Sequence, residues 1–175
     1  MIRILAMFAM IAVAAPAWPC TIIGGPLSAE RLLNEADVVV RVRAEGLSST
    51  PGRRDRVLSA SPTQVTFAIL QVLKGRLSSS TIEFNGSLNN RDDPNERPVP
   101  PDFVRPEGRG GNCYALTYRL GAEYLLLLQR QGSQLTPYWA PLSPTNEQLF
   151  SGTDDPWFVW VRNKLRRGIR FFGRV

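Results

Sequence analysis

Histidine is absent from this chain of 175 residues, and cysteine occurs only twice. The first absence removes the commonest general base and the commonest neutral metal ligand together. No nucleophile stands beside a base in a recognisable arrangement, and no glycine-rich loop opens a helix as a phosphate cradle must. The glycine-rich run Gly108 to Gly111 precedes a strand pattern and reads as a flexible lead into Cys113. Carboxylates such as Glu30, Asp37, Glu83 and Glu123 are scattered, with no spacing that brings them together. The reading is therefore of a non-enzyme with no catalytic residues, no metal site and no cofactor. Aromatic residues make up only 9% of the chain. The strand patterns are mostly aliphatic and lack the stacking platforms that single-stranded nucleic acid needs, so nucleic acid is not an expected partner.

What is present begins with a leader. Arg3 supplies one positive charge, Ile4 to Ala15 an apolar run, and Ala15-Pro16-Ala17 a small-residue cleavage pattern. Residues 1–17 read as a signal peptide, with Trp18 first in the mature chain and an extracytoplasmic location, periplasmic or secreted. The apolar run is too short for an anchor, and no later segment approaches the roughly 20 apolar residues of a spanning helix. Cys20 invites a lipoprotein reading, but Trp18 and Pro19 in front of it suit that processing poorly.

Removing the leader leaves about 158 residues, enough for one domain with a real core. The whole chain carries +6, or +5 without Arg3, which makes an anionic envelope component conceivable as a partner. Cys20 and Cys113 are an even count in an exported chain, and pairing is the default in an oxidising compartment. Closing that loop would remove denatured-state entropy worth about 4 to 5 kcal/mol in the chain-entropy account.

Ser28 is placed to cap a short helix that contains Glu30 and buries Leu32 and Leu33. Val38, Val40, Val42 and Ala44 then alternate with Arg41, Arg43 and Glu45, the pattern of a half-buried strand. A Ser/Pro/Gly/Arg-rich loop follows. In the next strand Val65, Phe67 and Ile69 are in phase, while Leu70 and Val72 take the opposite phase; such a slip predicts a bulge and a sheet that curls. Ile82 and Phe84 point inward from a third strand. Asn85-Gly86 is read as a tight turn in preference to a glycosylation sequon. Residues 88–112 are too polar and too broken for regular structure, and a loop of this length is either functional or disordered. Its Asp92, Asp93 and Glu96 lack the spacing of a calcium loop and read as solvated charges.

Tyr124 to Leu128 is apolar on both faces, so this strand must be covered on both sides. A hairpin turn near Gly132 returns the chain to a strand in which Pro137 marks an edge. Ser143-Pro144 and Asp155-Pro156 both present an N-cap followed by proline at the first helical position, predicting two terminal helices. In the second, Trp157, Val161, Leu165, Ile169 and Phe172 form an apolar stripe against a polar one containing Arg162, Arg166, Arg167 and Arg170.

These elements make a mainly β chain: a small OB-like closed β-barrel with an N-terminal helix and C-terminal helices packed on it. The order of "ADVVVRVRAEG", "VTFAILQVLKG", "IEF", "NCYALTYRLGAEYLLLL" and "YWAPLSPTNEQLF" resembles the netrin-like domain family, which includes the tissue inhibitors of metalloproteinases. The resemblance runs from Cys20 to about Phe150 and is nearer to sparse bacterial-type members, since only two cysteines are present. It divides the chain into a leader (1–17), a netrin-like barrel (18–152) and a basic amphipathic helix (153–175). It also implies a disulfide, Cys20 to Cys113, tying the leading segment to the barrel.

The animal inhibitors use an N-terminal cysteine to chelate a protease zinc. Here Trp18 and Pro19 would stand in front of Cys20, so a structural staple is the favoured reading and inhibition the minority one. The function expected is an exported, non-catalytic binding module for an unknown protein or anionic envelope component. An alternative is peripheral attachment to a membrane surface through Arg162, Lys164, Arg166, Arg167 and Arg170.

Overall fold

The computed structural model describes residues 25–48, 63–132 and 134–172, with side chains as far as Gly168. Helix α1, Ala29–Glu35, forms where the capping signal predicts it: the Ser28 hydroxyl accepts from the Arg31 backbone N–H at 3.3 Å, and Leu32 and Leu33 are buried. Its C-terminal carbonyls are met from outside the helix. The Lys74 ammonium donates to the Leu33 and Asn34 carbonyls at 2.7 and 3.0 Å.

Eight strands follow among the described residues: β1 (Val38–Leu47), β2 (Gln64–Lys74), β3 (Thr81–Asn85), β4 (Ser87–Asn89), β5 (Thr117–Arg119), β6 (Glu123–Gln131), β7 (Gln134–Pro137) and β8 (Asn146–Leu149). The main sheet is antiparallel and barrel-shaped, nearly closed, in the order β3-β2-β1-β6-β7, with β8 also paired to β6. A short parallel pair, β4 with β5, lies off it. The slip predicted in β2 is real: Ile69 pairs with Val42 and Gln71 with Arg41, leaving Leu70 out of register, and Leu73 is skipped in the same way. Two extra residues on one strand bend it and tighten its twist, as barrel curvature requires. The hairpin between β6 and β7 pairs Gln131 with Gln134, and Pro137 ends the outer strand.

The two faces of β1 and β6 fill two cores. Inside the barrel, Val38, Val40, Val42 and Ala44 meet Val65, Phe67, Phe84, Tyr118, Tyr124, Leu126 and Leu128. On the outer face, Val39, Leu125 and Leu127 meet Leu32 and Leu33 of α1. Helix α2, Pro156–Phe172, completes that layer with Trp157, Phe158 and Val161. The double cover expected of residues 124–128 is thus supplied by helices. Burial of each such side chain stabilises by about 1.5 to 3 kcal/mol.

Three expectations are corrected. Residues 143–150 are not a helix: Asn146–Leu149 is strand β8, paired with residues 123–126 of β6. The Ser143 hydroxyl is engaged elsewhere, accepting from the Leu27 N–H at 2.9 Å. Asn85-Gly86 is not a hairpin turn. The chain passes through Gly86 from β3 straight into β4, and glycine is needed because a Cβ there would stand 2.6 Å from the Leu116 carbonyl and 2.9 Å from the Tyr118 ring. Finally, residues 88–112 are not without regular structure, since they end β4 and form a 3-10 turn at Pro106–Arg109. The arginine-rich loop expected after β1 lies largely outside the described residues.

Candidate functional site

The 88–116 segment gathers around one side chain. Arg105 is fully buried, although its segment reads from the sequence as too polar and too broken for regular structure. Its Nη1 donates to Asp93 at 2.6 Å, its Nε to the Asn146 carbonyl at 3.1 Å, and its Nη2 to the Ala115 and Thr117 carbonyls at 3.1 and 2.9 Å. Its backbone N–H donates to Glu147 at 3.2 Å. The guanidinium carbon lies 5.2 and 5.4 Å from the Tyr118 and Tyr124 ring centroids. Planar, forked and ringed by acceptors, this group ties the loop, β5 and β8 to the aromatic part of the barrel core.

Asp93, read from sequence as a solvated charge, is therefore a structural anion that also accepts from the Glu107 backbone N–H at 3.2 Å. Asp92 is exposed yet engaged, taking Arg119 at 2.9 Å and the Gln148 amide at 2.6 Å. Glu96 is exposed, as the sequence leads one to expect. No group of side chains suited to a metal ion occurs among the described residues. Glu30, Asp37, Glu83 and Glu123 do not converge. Glu30 pairs with Lys164, Asp37 accepts from the Arg130 N–H, Glu83 meets Thr66, and Glu123 takes Arg41 and Arg43 at 3.1 Å each.

Beside the locked loop lies a cleft of about 260 Å³ walled by residues 94–101 of the loop, by Glu147, Gln148 and Phe150 around β8, and by the start of α2 at Asp155–Trp157. Its rim is apolar and open: Phe150 is 60% exposed and Val99 41%. Its interior is polar and buried. Glu147 is 1% exposed, with one oxygen accepting from Arg105 and the other from the Asn95 amide at 2.8 Å. Burial pushes its carboxyl up to about 7 against the opposing pull of Arg105. Trp157 is 4% exposed, and its indole N–H is buried without a hydrogen-bond partner among the described residues. Asp155 caps α2, accepting from the Trp157 and Phe150 backbone N–H groups at 2.9 Å each, as the Asp-Pro signal predicts.

Sequence reading missed Arg105, Glu147 and this cleft. It singled out instead the two cysteines and the α2 cations. Cys20 lies outside the described residues. Cys113 sits with φ of 61° and its carbonyl accepts from the Leu142 N–H at 2.7 Å. No cysteine is free among the described residues. The cations of α2 are divided in their roles. Arg162 is half-buried over the Phe158 ring at 5.5 Å, and Lys164 pairs with Glu30 and lies 5.4 Å from the Trp160 ring. Arg166 and Arg167 are exposed, and the Arg170 side chain lies outside the described residues. No described helix is long and apolar enough to cross a membrane.

No family model matches the chain, and no curated protein matches it.

Proposed function

We propose that this chain is an exported, non-catalytic binding module of netrin-like type, its leading segment stapled by a Cys20–Cys113 disulfide, which holds a partner protein at the cleft beside residues 94–101. The observation that carries the reading is an open apolar rim formed by Phe150, just after β8, and Val99, on a loop locked by a buried arginine. A surface fixed before binding loses little conformational freedom on binding, so its contacts count more fully toward affinity. Exposed aromatic side chains on a rigid frame are also what anchor protein interfaces.

Neighbouring contacts support the staple. The chain entering α1 is held at Leu27 by Ser143, and the adjacent Leu142 donates to the Cys113 carbonyl. Cys20 precedes Leu27 by seven residues, a reach of up to about 24 Å when extended. Attachment through α2 is less well supported, because Trp157, Phe158 and Val161 are already used in the core. Arg166 and Arg167 remain for it, and protease inhibition would require Cys20 to be the first residue.

The test is site-specific photo-crosslinking in the exporting cell, with a photoreactive residue at position 150 and a control at Leu120, which is 50% exposed. A discrete adduct from position 150 and none from 120 is the expected result. The intact mass of the same protein should show Trp18 first and both cysteines protected until reduced. The same ladder from both positions would overturn the binding surface. Cysteines alkylated without reduction would overturn the staple, and Cys20 as an unmodified first residue would favour the inhibitor.

A further inference from the structure

Three carboxyls line the cleft, those of Glu96, Glu147 and Asp155, against one cation, Arg97. Arg105, the buried cation beside Glu147, is already matched by Asp93 at 2.6 Å. Glu147 itself accepts from N–H donors, those of the Arg105 backbone and of Asn95. Asp155 likewise receives backbone N–H groups, and Glu96 stands exposed at the rim. The cation of the lining, Arg97, is turned toward Asp102 at 3.8 Å and over the Phe103 ring at 5.7 Å. In a chain of net charge +6, a local excess of carboxylates runs against composition and is a property of this site.

Two further features narrow what would fill it. Apolar surface from Val99, Pro101 and Phe150 borders the carboxyls, which suits a charged tip on an aliphatic stem. Trp157 lines the cleft at the start of α2, so its indole N–H, buried without an acceptor among the described residues, reports on what enters. A volume of about 260 Å³ takes one long side chain with a short piece of backbone, less than a drug-sized ligand fills.

We infer that the cleft binds a lysine-bearing segment of a partner polypeptide, with the ammonium drawn by Glu147, Asp155 and Glu96 and the methylene stem against Phe150 and Val99. This rests on the cleft being the binding surface proposed above, and it names what that surface selects. Ammonium entry favours the ionised form of Glu147. Among the groups around that carboxyl, Arg105 and the Asn95 amide also favour its charge while Asp93 opposes it, so binding near pH 7 releases a proton.

The experiment titrates the full exported protein with three blocked amino acids, N-acetyl-lysine, N-acetyl-leucine and N-acetyl-glutamate methylamides, following the Trp157 indole N–H resonance. The lysine probe should shift that resonance and bind at least about tenfold more tightly than the glutamate probe. Phe150→Ala and Glu96→Gln alter exposed side chains and leave the fold intact; each should weaken the lysine probe about threefold to fivefold, the scale of one partly screened contact. Calorimetry in two buffers of different ionisation enthalpy should show proton release. A leucine probe that binds as well as lysine, or lysine binding indifferent to Glu96→Gln, overturns the cation preference. If position 150 still gives a discrete adduct, the binding surface survives that loss. An indole resonance that no probe moves shows a site holding water only and overturns the inference; with no adduct from position 150, the binding surface falls with it.

Discussion

The barrel interior and the loop that seals one side of it are held by opposite chemistry. Inside, Val38, Val40, Val42, Phe67 and Leu126 pack as interchangeable apolar volume. In the loop, the acceptors of residues 93, 115, 117 and 146 converge on the single guanidinium of Arg105. Apolar packing tolerates a change of shape if volume is kept, whereas a buried fork that loses its geometry withdraws a donor from several acceptors at once. The same chain thus carries a forgiving core beside an unforgiving one, and conservative substitutions should separate them.

The largest effect expected is from Arg105→Lys. An ammonium keeps the charge opposite Asp93 but cannot present Nε and two Nη groups in one plane. Carbonyls at 115, 117 and 146 would lose donors, and the cost should be about 3 to 5 kcal/mol, the range for breaking a buried ionic network. Chemical denaturation measures it. Amide exchange should show residues 93–116 opening while β1 and β6 stay protected, and protection unchanged in the loop would mean that Arg105 is not its lock.

Next in size is a pH dependence centred on Glu147 in the polar region. The Glu147 carboxyl titrates near 7 in the folded chain, against 4.5 for an unperturbed glutamate. A raised carboxyl pKa means that the folded state holds the proton longer. Its contribution is fully present below about pH 4.5 and is lost as pH rises through 7, by about 3 kcal/mol for a shift of this size. Glu35 works in the other direction, held down by the Tyr138 hydroxyl and Arg31. The readout is therefore the difference in slope between the natural chain and Glu147→Gln from pH 4.5 to 7. Parallel curves would show that Glu147 ionises in the fold as freely as in water.

How much can be read in advance follows the same division. Helix α1, the alternation of β1, the bulge in β2 and the Asp155 cap of α2 are written in residues within a few positions of one another. Residues 143–150 mislead because Ser-Pro is a local helix signal, while burial of Asn146, Glu147 and Gln148 makes sense only beside partners far along the chain. Asn146 gives its amide to Tyr118, and Gln148 accepts from the Asp93 N–H. Arg105 looks no different from the exposed Arg91 and Arg97 that share its segment. Nothing within its neighbourhood in the sequence reports that acceptors at 115, 117 and 146 will surround it.

Gly86 is where the two regions join, between β3 of the barrel and β4 of the loop. Its N–H donates to the Thr63 carbonyl at 3.0 Å while the next residue donates to Leu116 at 3.0 Å. Gly86→Ala would press a methyl into the Leu116 carbonyl at 2.6 Å, and backbone cannot give way as a side-chain tip can. A cost of about 1 to 3 kcal/mol is expected, with exchange protection lost at residues 87–89 and 117–119 and retained in β1. No loss of stability in Gly86→Ala would mean that β4 and β5 separate without consequence.

The smallest effect should come from the interior itself. Phe67 is fully buried, with its ring 4.8 Å from that of Tyr118 and 6.4 Å from that of Tyr124. Leucine there loses edge-to-face contacts but stays apolar and strands no polar group, so Phe67→Leu should cost about 1 kcal/mol. The two tyrosines hold partners that do not involve Phe67: Tyr118 accepts from Asn146, and Tyr124 accepts from the Arg119 N–H at 2.7 Å. Those bonds should hold both rings against the Arg105 guanidinium after the substitution, leaving loop protection as it was. If Phe67→Leu instead cost as much as Arg105→Lys and opened residues 93–116, the loop would depend on the packing of the ring stack as much as on the fork, and the two regions would be one cooperative unit.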